Sequence, residues 1–576
     1  MLRRCVLVWL VACHPSPAPS RDSLITTAER SGWVRTGRYE EAVQICRAIA
    51  HTYPGVTCDD IGRTTQDRPI VALRIERAPG APYIYIQAGI HAGEIEGKDA
   101  GLWFVRDLLD GRVAPGSLKA VNLIFVPCIN PDGHERFGPN NRPNQRGPQE
   151  MGFRTNGQRM NLNRDFTKAD SPEIQAVLRV IRNRDPLIFV DLHTTDGAKF
   201  EHDIAVNQTP MAPRQDRLEV AAATLSDAIV ARLAALGHLP TNGFYPSFLK
   251  EEDPASGFAL NEPLPRWSHG YISARGRFGF LIELHSWRTY GERAQSAYHV
   301  LQALLELAPT QTQSWIAATK ATEQLAGNQL GVEFKPSDHT RPIAFRGYRY
   351  EIRKSEVTGG NWISYDESQP EIWNVPLHDQ IETKVSVRVP NAGYIVDGGY
   401  AAIVAPILDR HGIAYRRIAD SGHPQLAVSA FRATRVTYEP PSEGHTRCSI
   451  EGSWAPETRT LDGGAIFVPI AQPLARLAVH LLDPAAPDSF AQWGYFATAF
   501  ERKEYMEPYV AEAVARDMMA KDPAIKAQFE AAIASDPRLA TPEAKREWFY
   551  RRSAAWDERV NLLPVYRVDD PPSTQP

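Results

Sequence analysis

Between residues 21 and 310 the chain repeatedly sets a short, unbroken apolar run beside a helical pattern, and few folds accept that arrangement. The runs include "IVALRI", "YIYIQAGI", "VNLIFVPCI", "LIFVDLH" and "FGFLIELHSW", separated by amphipathic stretches such as "EEAVQICRAIAHTY", "PEIQAVLRVIRNR" and "RLEVAAATLSDAIVARLAAL". A strand that alternates apolar and polar residues covers one face of a sheet, whereas an unbroken apolar strand needs cover on both faces. The pattern predicts an α/β fold with a mixed, largely buried sheet flanked by helices. Functional residues in such sheets gather beyond the carboxyl ends of strands.

At 576 residues, with 43% hydrophobic and 23% charged content, the chain has material for more than one core. We expect the sheet-bearing unit over 21–310, a connecting segment over 311–335, a smaller mixed and β-rich unit over 336–485, and a helical C-terminal region over 486–576. The last of these rests on "EPYVAEAVARDMMA", "PAIKAQFEAAIA" and "PEAKREWFYRRS", each with Pro near its start. The formal net charge of -4 supplies no field for nucleic acid, so no nucleic-acid partner is expected.

Residues 1–20, "MLRRCVLVWLVACHPSPAPS", read as an export signal: two arginines, a short apolar run, then a Pro/Ser-rich stretch. Within it "LVAC", Leu10 to Cys13, is similar to a bacterial lipobox, which makes Cys13 a candidate lipidation site and membrane tether. The expected location is the periplasm or the outer membrane as a lipoprotein, with an extracellular protein as the alternative. Cys46 and Cys58 lie close enough in sequence to bridge in an oxidising compartment, while Cys128, inside "LIFVPCI", is expected in the core.

Three of the apolar runs end on groups that do chemistry. "YIQAGIHAGEIEG" places His91 and Glu94 at a strand mouth, "LIFVDLH" ends on His193, and "FGFLIELHSW" puts Glu283 near the end of a third run. About one His-x-x-Glu is expected by chance among 16 histidines, so the first motif alone says little. A second strand ending on histidine changes that: two imidazoles and a carboxylate suit one Zn2+ ion in a site that keeps a fourth position open. A carboxylate such as Glu283 is costly to bury unless it is paired or functional, and it is the natural proton carrier beside such an ion.

These elements resemble the zinc carboxypeptidases of the carboxypeptidase A (peptidase M14) family, over roughly residues 30 to 310 and in the family's order. "HAGE" matches the first ligand pair at His91 and Glu94, "DLH" the third ligand at His193, and "IEL" the catalytic acid at Glu283. "INPDGHERF" looks like the family's Asn-Pro-Asp-Gly turn, and "NLNRDF" supplies the pair Asn163 and Arg164 that grips a substrate's terminal carboxylate. The resemblance also implies a second arginine that stabilises the oxyanion. Arg154 is favoured for it, with Arg142, Arg146 and Arg159 as alternatives.

Two departures from the family pattern stand out. Asn161 occupies the place of an aspartate that touches a ligand histidine, so it orients the imidazole without adding charge. The substrate-capping tyrosine has no counterpart at the usual spacing; Tyr271 is taken as the candidate, with Tyr245 as the other. The stretch "PRWSHGYISARGR" is expected to line the side-chain pocket, where Arg275 or Arg277 would favour acidic residues.

The expectation is thus a metallocarboxypeptidase acting on peptides with a free C-terminal carboxylate. The rivals are a zinc amidase or endopeptidase on cell-wall peptides, a deacylase, and a peptide-binding scaffold without turnover.

Overall fold

The computed structural model describes residues 21–211, 216–320, 325–418 and 425–573; the export pattern and Cys13 lie outside them. The apolar runs form a mixed eight-stranded sheet. Its strands are β1 (Val56–Arg63), β2 (Pro69–Ile75), β3 (Tyr83–Ala88), β4 (Asn122–Val126), β5 (Ile188–Thr194), β6 (Ile204–Thr209), β7 (Pro240–Asn242) and, after a short β8 (Phe258–Ala259), β9 (Phe278–Leu284). They are ordered β1-β2-β4-β3-β5-β9-β6-β7, with β4, β3, β5 and β9 parallel. Every residue of β3, β4 and β5 is buried, which is why these runs carry no polar alternation.

Six helices flank the sheet: α1 (Tyr39–Thr52), α2 (Glu96–Leu109), α3 (Pro172–Arg184), α4 (Arg217–Ala235), α5 (Ser268–Ala274) and α6 (Tyr290–Thr319). Side chains alternate along each strand, so the two faces build two cores. Ile84, Ile86, Phe125, Val190 and Leu192 pack with α1, α2, α4 and α6. Tyr85, Ile124, Val126 and Phe189 face the other way, toward α3 and α5. The anticipated bridge forms between Cys46 of α1 and Cys58 of β1, and Cys128 is buried as a free thiol.

The rest of the chain adds a pair of strands, β10 (Gln329–Pro336) with the later β13, and a long hairpin of β11 (Thr340–Lys354) and β12 (Asn361–His378). After β13 (Ile381–Arg388) comes a six-stranded sheet of β14 (Gly393–Val396), β15 (Arg416–Arg417), β16 (Gln425–Tyr438), β17 (Cys448–Thr460), β18 (Ile466–Pro469) and β19 (Leu562–Val568). Helices α7 (Gly398–His411) and α8 (Ala475–Leu482) pack between the sheets, so Tyr394, Val404, Leu477 and Val565 share one apolar cluster with Tyr85 and Phe189. The hairpin contacts loops around the first sheet: β12 pairs with β8 in a three-stranded sheet of their own with β11, Gly347 bridges to Phe200, and Glu367 binds Arg146 (3.0 Å) and Lys199 (2.7 Å).

Two expectations need correction. The connecting segment does not begin at 311, because α6 runs on to Thr319 with Thr312, Trp315 and Ala318 buried on its inner face. The C-terminal region is not purely helical. It does contain α9 (Pro508–Lys521), α10 (Pro523–Ser535) and α11 (Pro542–Tyr550), but β19 then enters the second sheet between β14 and β16. "LLPVYRV" hides this strand because it contains Pro564 and Arg567; the arginine is tolerated there because the buried carboxylate of Asp483 pairs with it.

One buried ion pair fastens the site-bearing turn. Arg293 of α6 is fully buried, binds Glu96 at the start of α2, and donates to the carbonyls of Arg146 (2.8 Å) and Gly147 (2.8 Å). Replacing one partner strands the other's charge in the core. We predict that Arg293→Met lowers stability by about 3–5 kcal/mol in chemical denaturation, and a wild-type midpoint would contradict this.

Candidate active site

Strand β3 ends at Ala88, and the chain must then turn sharply enough to aim two side chains back over the sheet edge. Small residues make that possible. Gly89 has φ +66, and a Cβ there would sit 3.1 Å from Cys128 Sγ. At Gly93 a Cβ would approach the Arg142 stem and the Gly152 carbonyl to 2.6 Å, so the glycine lets the 142–152 loop close on the turn. The Asn-Pro-Asp-Gly turn supports it from below: Asn130 Nδ2 donates to the carbonyls of Ile90 and Arg154, both at 3.3 Å.

The turn carries His91 and Glu94 to His193, which lies in β5, next to β3 in the sheet. His91 Nδ1 is 3.0 Å from Glu94 Oε1, His193 Nδ1 is 3.0 Å from Glu94 Oε2, and ligating atoms of the three residues all lie within 4.8 Å of one another. All three are buried. Two imidazole nitrogens converging on a carboxylate in a closed space fit a divalent cation of the zinc class. Outer contacts fix the rings. His91 Nε2 donates to Asn161 Oδ1 (3.0 Å), which leaves Nδ1 as the lone pair, and His193 Nε2 lies 3.0 Å from Asp191 Oδ2. The charge absent at Asn161 is thus present on the other histidine.

Burial alone would push the Glu94 carboxyl up, but His91, Arg142 and His193 hold it well below the usual carboxylate range. Arg142 Nη2 is 3.0 Å from Glu94 Oε1 and also meets Asp196 (3.2 Å), so this arginine is committed to ion pairs. Arg154 lines the cavity, with Nη1 3.5 Å from Glu94 Oε1 and its side chain one-third exposed. Arg146 turns to Glu367 and Arg159 is exposed, so of the four arginines Arg154 is the one that lines the cavity.

Glu283 lies opposite His193 in the β5–β9 register and also lines the cavity. Burial pushes its carboxyl up to about 8 against an opposing pull from His193, and Oε2 has no hydrogen-bond partner. Asn163 and Arg164 line the same cavity, of about 360 Å³. Asn163 Oδ1 accepts from Ser268 N (2.9 Å), which leaves its N–H groups for the cavity, and Arg164 stacks over Trp267 at 4.8 Å. Burial, with Arg154 adding to it, lowers Arg164 to about 10. Among the described residues no carboxylate forms an ion pair with it.

The tyrosine expectation is overturned. Tyr271 is fully buried, bonds His411 Nδ1 at 2.9 Å and packs on Phe166, because α5 turns that face toward α7. Tyr245 lines the cavity instead, its hydroxyl accepting from Asp196 N (2.9 Å). Arg275 and Arg277 also miss the cavity: the first donates to the His411 carbonyl (3.0 Å), the second pairs with Asp185. The far wall is formed by Asn207, Gln208, Phe244, Asn261, Trp267 and His269, most of which sequence reasoning missed. A signal existed in β6, where "NQ" interrupts a fully buried strand.

Residues 42–247 match the family model described as zinc carboxypeptidase. Among curated relatives, the chain is 28% identical over 151 residues to carboxypeptidase D of Homo sapiens, covering 24% of this chain and 10% of the relative. It is 32% identical over 124 residues to carboxypeptidase A4 of Mus musculus, covering 20% and 30%. The chain therefore spans a third or less of these relatives' lengths. Among solved structures, the carboxypeptidase A of Helicoverpa armigera aligns with a TM-score of 0.36 at 16% identity, over 50% of this chain and 75% of that one. A metallo-carboxypeptidase of Burkholderia cenocepacia aligns at 0.35 and 19%, over 47% and 68%. Glu283 lies beyond the family match and is placed by geometry. All three candidate ligands lie inside residues 42–247, the range over which the chain is similar to the zinc carboxypeptidases.

Proposed function

We propose that this chain is a zinc-dependent carboxypeptidase that removes the last residue of peptides with a free C-terminal carboxylate. The observation that carries the reading is Arg164: a half-buried guanidinium that, among the described residues, has no carboxylate within ion-pair distance, in the same cavity as the His91, Glu94 and His193 triad. A guanidinium that gives up solvent needs an anion, and its planar fork matches a carboxylate. The Asn163 amide beside it adds direction.

His91, Glu94 and His193 would hold one zinc ion, which when bound supplies Lewis acidity toward water and toward the scissile carbonyl. The protein's own groups divide the remaining work. Asn163 and Arg164 anchor the terminal carboxylate and so fix the last peptide bond across the cavity. Arg154 offers N–H groups where negative charge develops on the carbonyl oxygen. Glu283, with Oε2 unpartnered, takes a proton from the attacking water and returns it to the leaving amine. Tyr245 borders the cavity on the side of Asp196.

The same reading places the protein outside the cytoplasm. The Cys46–Cys58 bridge supports an oxidising compartment, and the Leu10–Cys13 motif supports a lipid tether. Mass spectrometry of the mature protein from native membranes should find a lipidated Cys13 as the first residue; an unprocessed N-terminus would refute the tether.

Paired peptides that differ only in a free or amidated C-terminus test the activity. The free form is expected to lose its last residue and the amidated form to resist, with Glu283→Gln lowering kcat about 10²–10⁴-fold while zinc content holds. Equal cleavage of both peptides would replace this reading with the amidase or endopeptidase.

A further inference from the structure

One part of the cavity wall, around the end of β6 and the start of α5, has a composition of its own. In the β6–β9 register Ala205 lies opposite Glu283 and Asn207 opposite Leu281, so Asn207 sits two pairs along from the proton carrier, on the same face. Thr209 donates to the His269 carbonyl (2.8 Å), which brings the start of α5 against the end of β6. Asn207, Gln208, Trp267 and His269 meet there, with Leu281 and Phe244 as apolar wall.

The polar atoms at this end are buried and unsatisfied. Asn207 is 6% exposed, Gln208 9% and His269 5%, yet Asn207 Oδ1, Gln208 Oε1, His269 Nδ1 and Trp267 Nε1 have no hydrogen-bond partner. The Asn207 orientation is fixed, since Nδ2 donates to the Leu281 carbonyl (3.3 Å) and a flipped amide would set oxygen against oxygen. The end thus offers the Asn207 acceptor, the obligate donor of an indole, an imidazole nitrogen, and a Gln208 amide that can present either its oxygen or its N–H groups. Besides the metal and carboxylate end, the ionisable groups lining the cavity, among the described residues, are Asp196, Tyr245 and His269, the last pushed down to about 3 by burial against an opposing pull from Asp191.

Resting on the carboxypeptidase reading, we propose that this pocket selects a C-terminal residue with a neutral carboxamide side chain, glutamine or asparagine. A primary amide carries two N–H donors and one carbonyl, the complement of Asn207 Oδ1, Trp267 Nε1–H and a Gln208 amide that is free to turn either end toward it. An aliphatic side chain would leave those buried groups unpaired, a lysine or arginine would set a cation against the indole donor, and an acid would face the Asn207 oxygen.

Peptides identical except for a last residue of Gln, Asn, Leu, Lys or Glu, given to the zinc-loaded full chain, test this. Gln and Asn should exceed the rest in kcat/KM by about tenfold or more, and Asn207→Leu should bring Gln down and Leu up. Binding of N-acetyl-glutamine against N-acetyl-leucine to the Glu283→Gln variant is the second readout, and it does not need turnover. Preference for Leu, Lys or Glu, or an unchanged ratio in Asn207→Leu, overturns the inference while leaving the carboxypeptidase reading standing. Preferred binding of the glutamine compound with no peptide cleaved would keep the pocket assignment and sink the reaction.

Discussion

The Glu94 carboxylate organises the site. It stands 3.0 Å from Nδ1 of both His91 and His193, accepts from the Thr194 backbone (3.1 Å) and balances Arg142. Those contacts require β3 and β5 to be adjacent, parallel and in register, with Ala88 beside Leu192. They also require a turn after β3 tight enough to bring Glu94 back, which Gly89 and Gly93 permit. The sheet's two-sided burial, the glycines and the α2–α6 ion pair are in this sense one device: each limits where a single carboxylate can be.

The later half of the chain is more than an appendage to that device. Glu443, in the β16–β17 turn, accepts from the backbone N–H of Asn161 (2.9 Å), and Asn161 in turn holds His91. Asp488 binds Arg266 at 2.6 Å, next to the Trp267 that stacks on Arg164, while His445 and Tyr495 both grip Asp170. These contacts brace the carboxylate-binding arm from outside the first sheet. The hairpin, through Glu367 with Arg146 and Lys199, ties to two loops of the sheet-bearing unit.

Much of this was legible in the sequence where a local rule governs it. Unbroken apolar runs report two-sided burial, and a histidine or glutamate at the end of such a run is conspicuous because the interior resists it. What escaped was decided by partners distant in the chain. Tyr271 looks like an available phenol until α7 covers it with His411. Strand β19 looks broken by Pro564 and Arg567 until Asp483 neutralises the arginine. Arg142 and Arg154 are equivalent by spacing, and only folding shows that one is spent on Asp196 and the other lines the cavity. The polar end at Asn207 and His269 arises where β6 meets α5, a junction no local pattern encodes.

The central claim is that three residues converge on one ion, and zinc K-edge X-ray absorption on the stoichiometrically loaded protein tests it most directly. The account predicts one zinc per chain with light-atom ligands near 2.0–2.1 Å, including two imidazoles, and loss of that signature in His193→Ala. A shell containing sulfur, or a His193→Ala spectrum indistinguishable from wild type, would contradict it.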